Sequence, residues 1–509
     1  MLNASSVKNS SMQMQPTFLN SVKWAYISKW GDKAFSSVFT IIFAAVLGPR
    51  DFGIITIAMV YIIFIQMFLE QGLKTALIQK KDLQPEHLDA VFWTNILLSF
   101  GLVGLSILFS RWWATLNHLP ELPMIIAALS LIIPIEALSI VQNALLTREL
   151  DFKSLSIRSN AGVIAGGVFG IVMALSGFGV WSLVCQQVIR DSTSLFLLWR
   201  LSSWRPKFNF SWHHLRELLG FSGFNFIGQL GVFANGQAGV VLLGALFGPV
   251  AVGLYRLAER LMNTILNSAA GSIQSVSLPI FSRLQDKPSE LRDSALACIR
   301  FSSTITFPAL AGLAAVSAPL MATLGPNWVP ASNVLKILSM SGIAMVFAIF
   351  TGPLLQAISM PRQFAVLEWT RTLVTIGILI GAAILVRDAT TERQIVGIAL
   401  ANLVTGAVFV TPVFLYILIR ICRITIRELV SSIAPSAIAA ATVVGAVMLF
   451  DSIGLLGNYP VYISLVADVI VGGCVGLTVL FTIDTKMRSS IIDLFLRYFL
   501  KKPVLKDFM

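Results

Sequence analysis

Leu47-Gly48-Pro49-Arg50-Asp51-Phe52-Gly53-Ile54 stands between two apolar runs, and Phe247-Gly248-Pro249-Val250-Ala251-Val252-Gly253-Leu254 stands between two more, two hundred residues later. In each copy a long run ends at Gly-Pro, turns within three residues and restarts at Gly. Proline stops the first helix, and glycine allows close backbone approach at the turn. Leu145-Leu146-Thr147-Arg148 and Leu354-Leu355-Gln356-Ala357 make a weaker pair at a similar offset. The chain reads as a duplication.

The material around these repeats fixes the class. Of 509 residues, 56% are hydrophobic and 12% charged, and the mean hydropathy is +0.81. A soluble chain carries about twice that charged share. The apolar runs are roughly 20 residues long, enough to cross about 30 Å of hydrocarbon as helices. Backbone groups in lipid must bond within their own segment, which excludes open strands. Fourteen spans are expected, centred on 24–47, 53–70, 88–109, 121–146, 156–176, 178–199, 217–247, 252–276, 296–321, 332–357, 364–386, 394–419, 431–450 and 459–482. The expected fold is an all-α polytopic membrane protein: two six-helix lobes related by a parallel internal repeat, plus two C-terminal helices. Its parts are an N-terminal lobe (1–200), an interlobe loop (201–216), a C-terminal lobe (217–419), two further spans (420–482) and a tail (483–509). Parallel repeats of this kind in transporters enclose the substrate site between the halves. No connection is long enough to hold a separate extramembrane catalytic domain.

Position explains the basic balance better than nucleic acid does. With the N-terminus in the cytoplasm, twenty-six of the 37 bases fall on that side. They include Lys74, Lys80 and Lys81, then Arg148, Lys153 and Arg158, then Arg200, Arg205, Lys207 and Arg216. The outer side receives four, Arg50, Arg111, Arg387 and Arg393. The excess of cytoplasmic bases places both termini inside, in a bacterial-type inner membrane. In the tail, Ile491, Ile492, Leu494, Phe495, Tyr498 and Phe499 form an apolar face opposed by Arg488, Arg497, Lys501 and Lys502, as on a helix lying on anionic lipid. His213 and His214 read as interfacial and solvated. The four cysteines show no paired spacing, and no metal or catalytic set is expected.

The repeats carry a resemblance. Ala45-Val46-Leu47-Gly48-Pro49-Arg50-Asp51-Phe52-Gly53 resembles the first-loop signature of bacterial polysaccharide export flippases. So do Leu145-Leu146-Thr147-Arg148-Glu149-Leu150-Asp151-Phe152-Lys153, Gly179-Val180-Trp181-Ser182-Leu183, Trp204-Arg205-Pro206 and Gly253-Leu254-Tyr255. Phe307-Pro308-Ala309-Leu310 and Leu324-Gly325-Pro326-Asn327-Trp328 continue it. The likeness is strongest to the colanic-acid and exopolysaccharide branch of the multidrug/oligosaccharidyl-lipid/polysaccharide exporters. It implies a fourteen-helix, two-lobed transporter whose cargo is an undecaprenyl-pyrophosphate-linked oligosaccharide. Membrane lipids and a polysaccharide polymerase and export apparatus would be its partners. It implies no cofactor, with a proton or sodium ion as the coupling species.

Charges near the bilayer centre cost about 2.5–3.5 kcal/mol, so they face a cavity or a partner. Lys29, Asp32 and Lys33 lie at i, i+3 and i+4 in the first span, and Arg256, Glu259 and Arg260 repeat that spacing in the eighth. Each set places two cations around one anion on one helical face. Either it is a self-compensated ion pair, or its spare charge lines the cavity and meets the pyrophosphate that the resemblance implies. The eighth-span triplet is not part of the family pattern. Arg190-Asp191 is a further pair, and Glu136 is a lone carboxylate at depth. Asp32, Glu136 and Glu259 are the candidates for ion coupling. Gln186, Gln187, Gln229, Asn235 and Gln237 either contact sugar hydroxyls or bond between helices. Two other functions compete. A polytopic polymerase or glycosyltransferase would need acids or bases on sizeable outer loops, which are short here. A multidrug/cation antiporter would favour an acidic cavity, whereas both triplets are net basic.

Overall fold

The computed structural model describes residues 31–70, 73–80, 82–149, 151–219, 223–358, 360–454, 459–484 and 488. Contacts divide the chain into two compact units, Met1–Arg256 and Leu257–Met509. Unit 1 contains α1 (31–46), α2 (Pro49–Glu70), α3 (Leu73–Gln79), α4 (Pro85–Leu116), α5 (Leu122–Leu129), α6 (Ile132–Ala137), α7 (Ile140–Arg148), α8 (Phe152–Leu175), α9 (Val180–Leu201) and α10 (Trp212–Leu219). α11 (Gly223–Arg283) begins in unit 1 and continues into unit 2. Unit 2 adds α12 (Pro288–Ala315), α13 (Ser317–Leu324), α14 (Ala331–Ala348), α15 (Thr351–Ala357), α16 (Pro361–Leu385), α17 (Thr391–Thr405), α18 (Thr411–Ile421), α19 (Ile426–Ile453) and α20 (Val461–Ile483). No strand occurs among the described residues.

The described residues of the fourteen expected spans fall largely on helix. By length and composition ten described helices can cross a membrane, or eleven if the bent set from Leu122 to Arg148 is one span. The shortfall has physical causes. The seventh and eighth spans form one run, Ile227–Ser268, bent at Gly248, whose φ of 82° a side chain would resist. α9 carries Gln186, Gln187, Arg190 and Asp191 and is polar for its length. α1 is described only from residue 31, which leaves Lys29 outside the described residues, as is the tail from residue 489.

The Gly-Pro turns meet one another inside unit 1. A β-carbon on Gly53 would overlap the carbonyl of Pro249, and one on Gly253 would overlap the carbonyl of Pro49. The two copies of the repeat therefore cross reciprocally, each glycine receiving the other copy's backbone. Phe52, Ile54, Ala251 and Val252 around the crossing are buried.

The fourth expected span is broken, not continuous. Pro134 has no N–H to donate, and the backbone tightens to three-residue bonds, Ile133 N to Ser130 O (3.1 Å) and Ser139 N to Glu136 O (2.8 Å). α5–α6 and α7 are bent by 43°. The tenth span, its partner in the repeat, breaks at the corresponding place between α14 and α15.

The motifs at Arg148–Asp151 and Trp204-Arg205 turn out to be helix-end fasteners. Arg148 donates to the carbonyls of Leu77 (3.2 Å), Ile78 (3.5 Å) and Lys80, closing the C-terminus of α3. Three residues on, Asp151 N-caps α8 by accepting from Ser154 N (3.1 Å) and Ser154 Oγ (2.6 Å). Arg205 donates to the carbonyls of Trp199 (2.8 Å) and Ser202 (2.7 Å) at the end of α9, and stacks over Trp199. The loop beyond is tied to the base of α4: Asp89 accepts from Lys207 N (2.9 Å), and Trp93 stacks on Phe208 at 4.7 Å. On α10, Glu217 accepts from Lys80 and pairs with His87 (3.3 Å) and His213 (3.0 Å). His214 bonds Ser211 (2.7 Å) and Gln84 (3.1 Å), while His213 is exposed. In unit 2, Phe307, Phe347 and Phe414 form the aromatic centre of the core, with centroids 6.1 and 5.8 Å apart. A capping box of Thr425 and Glu428 opens α19.

Candidate functional site

A stripe of glycines makes the site. Gly162, Gly166 and Gly170 recur every fourth residue along one face of α8, which lets α9 press onto it. A β-carbon on Gly162 would lie 2.6 Å from the carbonyl oxygen of Arg190, and one on Gly166 would lie 2.8 Å from Arg190 Cβ. At Gly170 the neighbours are Gln186 Cβ (2.8 Å) and Ser182 O (3.1 Å). This contact brings the polar residues of α9 beside those of α8, so a sequence pattern of small residues fixes where the charges stand.

The result is a polar cavity of about 200 Å3 within unit 1. Its lining includes Glu136, Asn143, Arg158, Ser159, Arg190, Asp191 and Ser194. Arg158 donates to Ser194 Oγ (3.1 Å), but its Nε is buried without a hydrogen-bond partner. Arg190 Nε is 3.3 Å from Asp191 Oδ1, and Gln187 donates to Asp191 Oδ2 (3.0 Å). Glu136 and Asp191 both act electrostatically on Arg158. Ser159 extends the network to α1 by donating to Asp32 Oδ1 (3.2 Å). Gln66 Nε2 lies 3.5 Å from Glu136 Oε2, at the limit of a bond. Two guanidinium groups and two carboxylates thus share the chamber in formal balance, and nearly half the side-chain surface of Arg190 (45%) stays open. Planar guanidinium groups with free donors suit a phosphate oxygen, which takes two parallel N–H bonds.

The structure gathers some of the sequence candidates and leaves others apart. Glu136, Arg190 and Asp191 line the cavity, and Asp32 joins it through Ser159. Glu136, read as a lone carboxylate, has Arg158 for company. Lys33 is half-buried on α1 and is not in the lining. On α11, Arg256 and Glu259 are half-buried and Arg260 is exposed. Gln186 supports the seam with α8, Gln229 is exposed, Asn235 is half-buried, and Gln237 has a buried Oε1 with no hydrogen-bond partner. None of these four glutamine and asparagine residues lines the chamber.

The residue that sequence reasoning missed is Arg158, which it counted among the cytoplasmic bases. The signal was present: Arg158 is the third residue of the expected span 156–176, and with Asp151 capping α8 it lies in the second turn of a helix that starts at Phe152. Unit 2 holds a second overlooked pair on α16. Glu368 and Arg371 lie 3.3 Å apart, with Glu368 buried. In the repeat α16 corresponds to α8.

The described residues form a two-unit, all-helical membrane fold with broken spans and buried charge. The same fold is found in the lipid II flippase MurJ, inward closed conformation, with a TM-score of 0.71 and 14% identity over 91% of this chain and 99% of that one. An inward-facing multidrug resistance MATE family transporter of the MOP superfamily superposes with a TM-score of 0.59 and 18% identity, over 78% of this chain and 98% of that one. Residues 42–333 match the family described as polysaccharide biosynthesis protein, and the chain belongs to that family. The succinoglycan biosynthesis transport protein ExoT of Rhizobium meliloti (strain 1021) is 28% identical over 398 residues, 76% of this chain and 78% of ExoT. The lipopolysaccharide biosynthesis protein WzxC of Escherichia coli (strain K12) is 24% identical over 353 residues, 68% of this chain and 71% of its own.

Proposed function

We propose that this protein flips a lipid-linked oligosaccharide from the cytoplasmic to the outer leaflet of a bacterial inner membrane, with both termini in the cytoplasm. The observation that carries the reading is the chamber holding Arg158 and Arg190 inside a membrane unit of a polysaccharide biosynthesis protein. The names of the relatives, which include a succinoglycan transport protein, and the MurJ fold support it. The protein is a transporter in this reading and not an enzyme. Its substrate is an undecaprenyl-pyrophosphate-linked repeat unit, handed on to a polymerase and export apparatus.

The chamber suits an anion that must both enter and leave. When it is empty, Glu136 and Asp191 act as internal counter-ions to Arg158 and Arg190. An arriving pyrophosphate competes with those carboxylates for the guanidinium groups. On the return of the empty carrier a carboxylate such as Asp32 or Glu136 takes up a proton or sodium ion, which couples the cycle to an inward ion gradient. The membrane potential assists as well: a negative headgroup moving outward gains about 2.3 kcal/mol per charge per 100 mV.

The test is flipping of a fluorescent lipid-linked oligosaccharide by the protein in proteoliposomes. Arg158→Gln and Arg190→Gln should each reduce the rate at least tenfold while membrane levels stay normal, and Glu136→Gln should remove its response to a proton gradient. Full rates in the double arginine variant would refute the assignment of the chamber. A transported organic cation in place of the lipid-linked substrate would favour the antiporter reading.

A further inference from the structure

Unit 2 contains a second cavity of different character. α12, α19 and α20 enclose a groove of about 440 Å3 with apolar walls, among them Ile305, Pro308, Val443 and Leu477. Gly312, Gly472 and Gly476 open it by lacking side chains. Asp468, from the second turn of α20, is the ionisable residue in the lining. It is 1% exposed, and its carboxylate oxygens meet no N–H or hydroxyl donor; the side chain within hydrogen-bonding reach is the carboxyl of Asp451. The charged group acting on it is another carboxylate, Asp451, which stands exposed near the end of α19.

Among the described residues no cation acts on Asp468: α11, which adds Ile265 to the lining, carries Arg256, Glu259, Arg260 and Arg283, and none of them is among the groups that act on it. α13 has no charged residue. The charged residues of α12 are Glu290, Arg292, Asp293 and Arg300 in its first half, and Arg300 is held by Asp484 at the opposite end of α20. On α19, Arg427 and Glu428 lie in the first turn, far along the helix from Asp451, and Glu428 pairs with Arg292. An ionised carboxylate without donors or cations, facing apolar walls and a second acid, is strongly disfavoured. A metal ion would need a shell of oxygens that these walls do not supply.

We propose that Asp468 and Asp451 form a proton-binding site, with Asp451 at the mouth and Asp468 inside the groove. A hydronium ion at the mouth gives its proton to one carboxylate oxygen, leaving water, and release is the reverse step. Asp468 is neutral while the groove is dry, and it ionises when water enters. Proton occupancy and groove hydration are then linked, each biasing the other. With both termini cytoplasmic, the mouth faces the outside of the cell. The site shares no residue with the guanidinium chamber, and its existence does not depend on what the protein carries.

Dicyclohexylcarbodiimide, which reacts with protonated carboxyl groups in apolar surroundings, tests this on the full-length protein in liposomes between pH 5 and pH 9. Peptide mass spectrometry should find Asp468 modified at neutral pH, with labelling lost at a proton concentration at least tenfold below that of ordinary carboxylates. Asp451→Asn removes the like charge, so the midpoint should fall to lower pH. Asp468→Asn, which mimics the neutral acid, should melt like the parent at pH 7. Absence of labelling together with a destabilised Asp468→Asn would overturn the proposal. So would a midpoint indifferent to Asp451→Asn. No transport is measured, so these outcomes are independent of the flippase reading.

Discussion

Gly166→Ala isolates the seam that builds the chamber. The new β-carbon would sit 2.8 Å from Arg190 Cβ and 3.1 Å from Arg190 N. Carbon atoms rest at about 3.5–4.0 Å, so α8 and α9 must part by roughly 1 Å at this point. Overpacking of that kind costs about 1–3 kcal/mol. Alanine also stabilises a helix over glycine by about 1 kcal/mol, which would mask part of the loss. A matched control removes that ambiguity. Gly104 on α4 is helical, and a β-carbon there would meet nothing within 4 Å. The propensity gain is common to both sites, so the difference between Gly166→Ala and Gly104→Ala reports the clash alone, about 1–3 kcal/mol. For a unit of this size that is roughly 2–4 °C per kcal/mol in thermal unfolding of detergent-solubilised protein. Flipping should fall as well, because the parting displaces Arg190 from Arg158. Equal melting temperatures for the two variants would show that α8 and α9 do not pack through this stripe.

Reporter fusions should place Met509 in the cytoplasm and the Gly48-Pro49 turn outside; labelling of Arg148 from the outside would reverse the topology. Lys33→Gln and Arg260→Gln should lower flipping with normal membrane levels if these cations meet substrate, whereas loss of the protein itself would make them structural pairs. Arg148→Ala leaves the carbonyls of Leu77, Ile78 and Lys80 unpaired and should destabilise unit 1 by about 1–3 kcal/mol, seen as lower steady-state protein, with partial recovery by Arg148→Lys. The hydrogen bonds from Lys80 and His87 hold the Glu217 carboxyl down at about 2. A depressed acid contributes stability above its unfolded value, lost only as pH falls through the folded one. Hydrogen exchange in α10 should therefore show no loss of protection between pH 8 and pH 5 from this carboxylate, while Glu217→Gln should release the helix throughout that range.

The hydropathy and base placement alone determined that this is a polytopic helical membrane protein, because lipid leaves a backbone no alternative to internal hydrogen bonding. The Gly-Pro repeat disclosed the duplication, since a turn between long apolar runs needs those residues wherever it occurs. Asp32, Glu136, Arg190 and Asp191 could be singled out for a similar reason: charge at membrane depth is costly in any fold. What sequence could not decide is which of these costly groups meet. Arg158, counted among the cytoplasmic bases, lines the chamber from the second turn of α8, and Lys33 stays out of the lining although its spacing looked the better claim. Asp468 is a single acid inside the expected span 459–482, and the sequence does not say what it faces. Its burial depends on glycines of α12 and α20 lying opposite Val443 and Val447. Such pairings are set by the faces that distant helices present to one another, and a periodicity within one helix carries no record of its neighbour.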